Sequence, residues 1–154
     1  MNDELSIVDF SPEYRGDFKR LNIAWIARYF EVEAHDLEQL DDPEHHIIGP
    51  GGYIFFAKLN DLIVGTVALV PTGEGEFELA KMAVDEAFQG RQIGKKLGEA
   101  LIARAREIGA RRIFLESNRR LAPALNLYDR LGFREVPLVP TPYARADIRM
   151  ELEL

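Results

Sequence analysis

The most constraining feature of this chain is a change of hydrophobic period between residues 77 and 117. FELAKMAV (77–84) reads as an apolar strand, and a glycine-punctuated turn, DEAFQGRQIG, follows. Ile93, Leu97, Leu101, Ala105 and Ile108 then recur at helical spacing until Gly109, and RIFLES (112–117) is a second strand. A strand, helix and strand of this length predict a parallel pair joined by a helical crossover.

The segment before this unit imposes the opposite sense. YIFFAKL (53–59) meets LIVGTVALV (62–70) through Asn60-Asp61, and a turn over Pro71 to Gly75 leads into FELAKMAV. Three strands with short connections form an antiparallel meander. A parallel pair following a meander means a mixed sheet, which contradicts a doubly wound architecture.

The flanking segments complete one α+β domain over residues 1–154. LSIVDF (5–10) is a strand stopped by Ser11-Pro12. A helix from Pro12 to Phe30 aligns Phe18, Leu21, Trp25, Ile26 and Tyr29, and a shorter one covers Ala34 to Leu40. Ala122 to Leu131 forms a further helix, with Pro123 in its first turn and Gly132 as its left-handed cap. DIRMELEL (147–154) alternates, placing Ile148, Met150, Leu152 and Leu154 on one face.

Charge and composition exclude several classes. With 19 basic and 26 acidic residues the net charge is −7, unlike the basic face of a nucleic-acid binder. The absence of cysteine removes disulfides and thiolate metal sites. MNDELSIVDF lacks a basic region followed by an apolar stretch, and no apolar run reaches about 18 residues, so a cytoplasmic protein with no membrane segment is expected. His45-His46 has no third ligand at a recognisable spacing, so no metal is expected.

In FQGRQIGKKLG the turn feeds a helix N-terminus, whose first N–H groups lack internal partners and welcome an anion. Arg91, Lys95 and Lys96 oppose the helix dipole, which makes little sense for stability and good sense beside a bound anion. A plain strand-to-helix turn with solvated bases remains open on these residues alone. Neither GxxxxGK[ST] nor GxGxxG occurs.

The run ELAKMAVDEAFQGRQIGKKLGEALI nevertheless resembles the acyl-CoA-binding motif of the GNAT superfamily of N-acetyltransferases, written [RQ]-x-x-G-x-[GA]. Gln89, Gly90, Arg91, Gln92, Ile93 and Gly94 stand at its positions, with Gln92 replacing its first fixed glycine. LESNRRLAPALNLYDRLGF (115–133) resembles the second signature, which ends in LY-x-x-x-GF. Glutamine at 92 is tolerable if it sits in the first helical turn, because the cradle uses backbone N–H groups.

The resemblance implies a mixed, mostly antiparallel sheet of about seven strands flanked by about four helices and splayed between the fourth and fifth strands. It implies acetyl transfer from acetyl-CoA to a primary amine of a small molecule or peptide by direct attack in a ternary complex. Met82, Ala83 and Val84 would pair with pantetheine, and the N–H groups from Gln89 to Lys95 would hold the pyrophosphate. Asn118 would contact pantetheine or substrate, although it also suits an ordinary turn.

Tyr128 is the implied general acid, although it shares a helical stripe with Leu121, Leu125 and Leu131 and suits a core aromatic equally. Glu78 is the candidate base. Strict alternation would place it with Ala80, Met82 and Val84 and turn Lys81 away as a structural residue. Glu38, Asp41, Asp42 and Glu44, expected near the pocket entrance, suggest a cationic acceptor. The first helix, with Trp25, Tyr29 and Phe30, would help to shape the acceptor pocket. The C-terminal PTPYARADIRMELEL could pair across a homodimer. A non-catalytic acyl-CoA-binding or sensory module of the same fold is the alternative reading.

Overall fold

A computed structural model describes residues 4–154; residues 1–3, part of the stretch read as lacking a leader, lie outside it. The strands are β1 (Leu5–Asp9), β2 (Tyr53–Leu59), β3 (Leu62–Gly73), β4 (Glu76–Val84), β5 (Arg112–Ser117), β6 (Arg134–Val136) and β7 (Ile148–Glu153). The α-helices are α1 (Arg15–Tyr29), α2 (Ala34–Asp41), α3 (Ile93–Glu107) and α4 (Ala122–Arg130). The strands form one mixed sheet in the order β1-β2-β3-β4-β5-β7-β6. Every pairing is antiparallel except β4 with β5, the pair spanned by the α3 crossover.

Both faces of the sheet are covered, which explains the nearly continuous apolar run of β2. Phe55, Ala57 and Leu59 face a core shared with Ile93, Leu97 and Leu101 of α3 and Tyr128 of α4. Ile54 and Phe56 face a second core with Phe18 and Leu21 of α1 and Leu40 of α2. α3 and α4 approach closely because α3 carries glycines at the contact: a Cβ on Gly94 would lie 3.0 Å from Leu127 Cδ2, and one on Gly98 would lie 2.5 Å from Leu131 Cδ1.

Two irregularities position the cleft. β4 and β5 pair at three positions, ending with Glu78 opposite Phe114, and the ladder goes no further. The edge of β4 toward β5 is therefore unpaired from Leu79 to Val84. On its other edge, Ala80 and Ala83 of β4 face Ala68 and Thr66 of β3, so β4 spends one extra residue there. This is a β-bulge, and Lys81 sits within it at φ 55°, the left-handed region. The bulge reverses the side-chain parity expected from strict alternation. Met82 and Val84 pack in the core on the α3 side, whereas Ala80 and Ala83 join the core on the α1 side.

Other expectations change in detail. Pro71 lies inside β3, opposite Phe77, so the turn is tighter than Pro71 to Gly75. Ile108 ends α3 as an exposed residue rather than continuing its buried stripe. β6 is too short for a sequence period to mark. β7 is flanked by β5 along one side and by β6 over Arg149 to Glu151 on the other.

Candidate active site

A cleft of about 90 Å³ opens where β4 and β5 part. Glu78 to Met82 form one wall and Glu116, Ser117 and Asn118 the other. Asn22 and Trp25 of α1, with Phe30 just after it, approach from one side and Tyr128 of α4 from the opposite side of the sheet. Tyr143, Arg145 and Ala146, from the loop before β7, close the rim. Glu78 and Tyr128, separated by 50 positions in the chain, line the same cavity.

Glu78 has no hydrogen bond or ion pair among the described residues. Burial, reinforced by the negative charge of Glu116, pushes its carboxyl from 4.5 up to about 7. A carboxylate in that range takes and returns a proton near neutrality. The Tyr128 hydroxyl likewise has no hydrogen-bond partner among the described residues, and burial pushes it up to about 12, so it stays protonated. Its ring packs edge-on against Phe133 with centroids 6.2 Å apart. Tyr128 is thus both a core aromatic and a wall of the cleft.

Lys81, which strict alternation turns away, lines the cleft. The left-handed bulge swings its side chain inward, where its ammonium donates to Asp36 Oδ1 at 2.7 Å and to the Tyr143 hydroxyl at 2.8 Å. Arg145 donates to both oxygens of Asp36, at 2.8 and 2.7 Å, and to Glu33 Oε2 at 3.2 Å. Asp36, on α2, is fully buried. Burial alone would raise its carboxyl, but Arg145 and Lys81 overcome that and hold it far below the usual carboxylate range. Burial lowers the Lys81 ammonium against the pull of Asp36. Asp36 also accepts from the Glu33 N–H as part of the α2 capping box. That box, Glu33 followed by Asp36, is the one sequence signal that could have drawn attention to the cluster.

The glycine turn has the geometry of an anion cradle, with one correction. Gly90 is left-handed at φ 84°. Gln92 is not in the first helical turn: it is the residue preceding α3, at φ 60°, a conformation that favours glycine. The condition under which glutamine was harmless therefore fails, and the position carries strain. Gly94 is helical, and its role is packing against Leu127 rather than positive φ. The Gln89 N–H closes the preceding turn on Glu86 O. The first α3 bond runs from Lys96 N–H to Gln92 O, so the N–H groups of Ile93, Gly94 and Lys95 are left at the open end. The Ile93 side chain is buried in the core, while Lys95 and Lys96 are exposed and Arg91 stacks on Phe88 at 5.3 Å.

Several expected residues serve other purposes. Asn118 lines the cleft, but its amide already donates to Arg145 O at 2.8 Å and accepts from Arg120 N–H at 2.9 Å. Glu44 pairs with Arg15, Asp41 with Lys19 at 2.6 Å, and Asp42 caps the His45 N–H. Glu38 lies 3.6 Å from His35. None of these four acids lines the cleft, so they do not mark its entrance. Trp25 and Phe30 do line it, whereas Tyr29 is exposed outside. His45 and His46 lie on a π-helical turn with their rings 4.9 Å apart rather than on extended backbone. Among the described residues no three metal-ligating side chains gather, and no helix is long and apolar enough to cross a membrane.

Comparison with known proteins matches residues 19–133 to the Acetyltransferase (GNAT) family. The chain is 32% identical over 110 residues to the uncharacterized N-acetyltransferase YjgM of Escherichia coli, covering 68% of this chain. It spans 66%, 49% and 37% of the lengths of three curated relatives that it matches. Among solved structures, a GNAT acetyltransferase of Staphylococcus aureus superposes with a TM-score of 0.89 at 23% identity, over 97% of this chain and 99% of that one. A Salmonella typhimurium acetyltransferase, solved with acetyl-CoA, superposes at 0.76 with 20% identity, over 97% and 94%.

Proposed function

The chain belongs to the GNAT family of acetyltransferases, and we propose that it moves an acetyl group from acetyl-CoA to a primary amine by direct attack in a ternary complex. Residues 1–154 would form a single such domain. The observation that carries this reading is the convergence of Glu78 and Tyr128 on one cleft, at the gap between β4 and β5.

The residues present fit the cosubstrate. The N–H groups of Ile93, Gly94 and Lys95, with Gly90 and Gln92 shaping the turn, offer the donors for a pyrophosphate, and Arg91 and Lys95 add positive charge. The unpaired edge of β4 at Met82, Ala83 and Val84 offers main-chain groups to an extended arm. Bound acetyl-CoA would supply the activated acyl carbon and a thiolate leaving group.

Glu78 takes the proton that the acceptor nitrogen loses as it bonds to the acetyl carbon, and a pKa of about 7 suits that task. A main-chain N–H near Met82 or Ala83 stabilises the oxyanion that develops on the acetyl oxygen. As the carbon–sulfur bond breaks, the Tyr128 hydroxyl donates its proton to the departing sulfur and is reprotonated from solvent. Asp36, Lys81, Arg145 and Tyr143 hold the bulge and the rim in place. Asn118 closes the loop at Arg145 and keeps a second amide N–H for pantetheine or substrate.

The test is release of free thiol from acetyl-CoA by the purified protein across amines, amino acids and peptides. Amine-dependent release supports the reading. Acetyl-CoA binding without turnover on any amine would favour a non-catalytic sensor, and absence of binding would refute both.

A further inference from the structure

Four charged side chains line the cleft: Glu78, Glu116, Lys81 and Arg145. They are not equivalent. Both cations are neutralised from behind, Lys81 by Asp36 and Arg145 by Asp36 and Glu33. The two carboxylates have no such partner. Glu116 accepts one hydrogen bond, from the neutral Thr141 hydroxyl at 2.9 Å. Its register partner on β7, Arg149, is instead stacked 3.9 Å over the Phe114 ring and bonded to Glu151 at 3.2 Å. Among the described residues neither Glu78 nor Glu116 lies within ion-pair distance of a cation. Lys81 and Arg149 act on Glu78 only from beyond ion-pair distance, so among the described residues the cleft presents two carboxylates that no cation pairs directly.

A second observation is aromatic. Trp25 lines the same cavity, and no Lys or Arg stacks on its ring among the described residues, whereas Tyr143 and Phe30 are already occupied by Arg145 and Arg120. An indole lining the same cleft as two carboxylates is a favourable environment for an alkylammonium.

We propose that the acceptor is a small aliphatic diamine, whose reacting nitrogen is served by Glu78 while Glu116 holds its second, cationic nitrogen and Trp25 covers the methylene chain. Glu116 is then a specificity-determining residue. This inference rests on the acetyltransferase reading and replaces the surface acids suggested by the sequence with two residues inside the cleft. One carboxylate for each nitrogen gives the diamine an advantage over a monoamine, while an acceptor carboxylate would meet Glu116 with like charge.

The test compares 1,4-diaminobutane, butylamine, 4-aminobutanoate and aspartate as acceptors. One charge-assisted hydrogen bond corresponds to about tenfold or more in affinity. The expected kcat/KM for the diamine therefore exceeds that for butylamine by about tenfold, with the two carboxylate-bearing acceptors below both. Glu116→Gln, which can keep the Thr141 hydrogen bond through its amide oxygen, collapses the diamine-to-butylamine ratio toward one, chiefly through KM. Trp25 is the only tryptophan, so its fluorescence reports cleft occupancy without turnover. Saturable quenching by the diamine, weaker for 4-aminobutanoate and diminished in Glu116→Gln, is expected. Equal or better turnover of aspartate or 4-aminobutanoate overturns the diamine assignment and leaves the acetyltransferase reading standing. If no amine is acetylated, the enzymatic reading fails, and quenching that fails to rank the diamine first overturns this inference separately.

Discussion

Replacing Glu78 with glutamine tests whether this carboxylate is held out of its preferred ionisation for use as a base. The folded-state value of about 7 stands above the ordinary 4.5 because burial and Glu116 disfavour the charged form. At about 1.4 kcal/mol per pH unit, that interval corresponds to roughly 3 kcal/mol. The sign follows from proton binding. Between about pH 4.5 and 7 the folded protein holds a proton that the unfolded chain has released, so stability falls as pH rises through that window.

Glutamine is neutral throughout and escapes this penalty. Glu78→Gln and the parent protein should therefore have similar stability at pH 4.5, diverging until the variant is more stable by up to about 3 kcal/mol at pH 8. Turnover should move the other way, falling about a hundredfold or more with loss of the general base. Urea unfolding of both proteins at pH 4.5, 6 and 8, alongside kcat/KM at the same pH values, makes the check. A stability difference independent of pH, or a less stable variant at pH 8, would mean that Glu78 is compensated by a cation, and the reasoning would fail.

Tyr128→Phe should lower turnover about a hundredfold with CoA affinity nearly intact; a stability loss well above about 1 kcal/mol would show that the hydroxyl has a structural partner. Gln92→Gly should leave CoA affinity unchanged or tighter and raise stability by up to about 1 kcal/mol, since a left-handed non-glycine residue costs about 1–2 kcal/mol. Gly94→Val should abolish CoA binding and destabilise by about 1–3 kcal/mol through overpacking at Leu127, read by calorimetry and thermal unfolding; if both substitutions are silent toward CoA, the turn holds no ligand. Asp36→Asn should destabilise by about 3–5 kcal/mol at neutral pH, because Lys81 and Arg145 lose their shared carboxylate. The depressed Asp36 carboxyl contributes stability above its ordinary 3.8 that is lost as pH falls below it, so the variant should show a flatter acid limb.

The elements were legible wherever a period ran long enough. The meander, the crossover helix and the alternation of Ile148, Met150, Leu152 and Leu154 all emerged from local spacing, and Glu78 was visible as a carboxylate interrupting an apolar strand. The Lys81 bulge was not, because an extra residue in a strand leaves the composition unchanged and shows only in the register with β3. Once it is present, every parity after Ala80 inverts. The Asp36 cluster was hidden for a different reason: its members come from α2, β4 and the loop before β7, and only tertiary packing joins them. Gln92 was misplaced by one position at a helix boundary, where sequence signals are weakest, and that single residue reverses the argument about its backbone.

The central claim is most directly tested by quantifying acetylated amine and free CoA thiol together in one reaction of purified protein, acetyl-CoA and 1,4-diaminobutane. The account predicts equal amounts of the two products, both depending on the amine and both strongly reduced by Tyr128→Phe. Thiol release without acetylated amine, or the same yield from Tyr128→Phe, would contradict it.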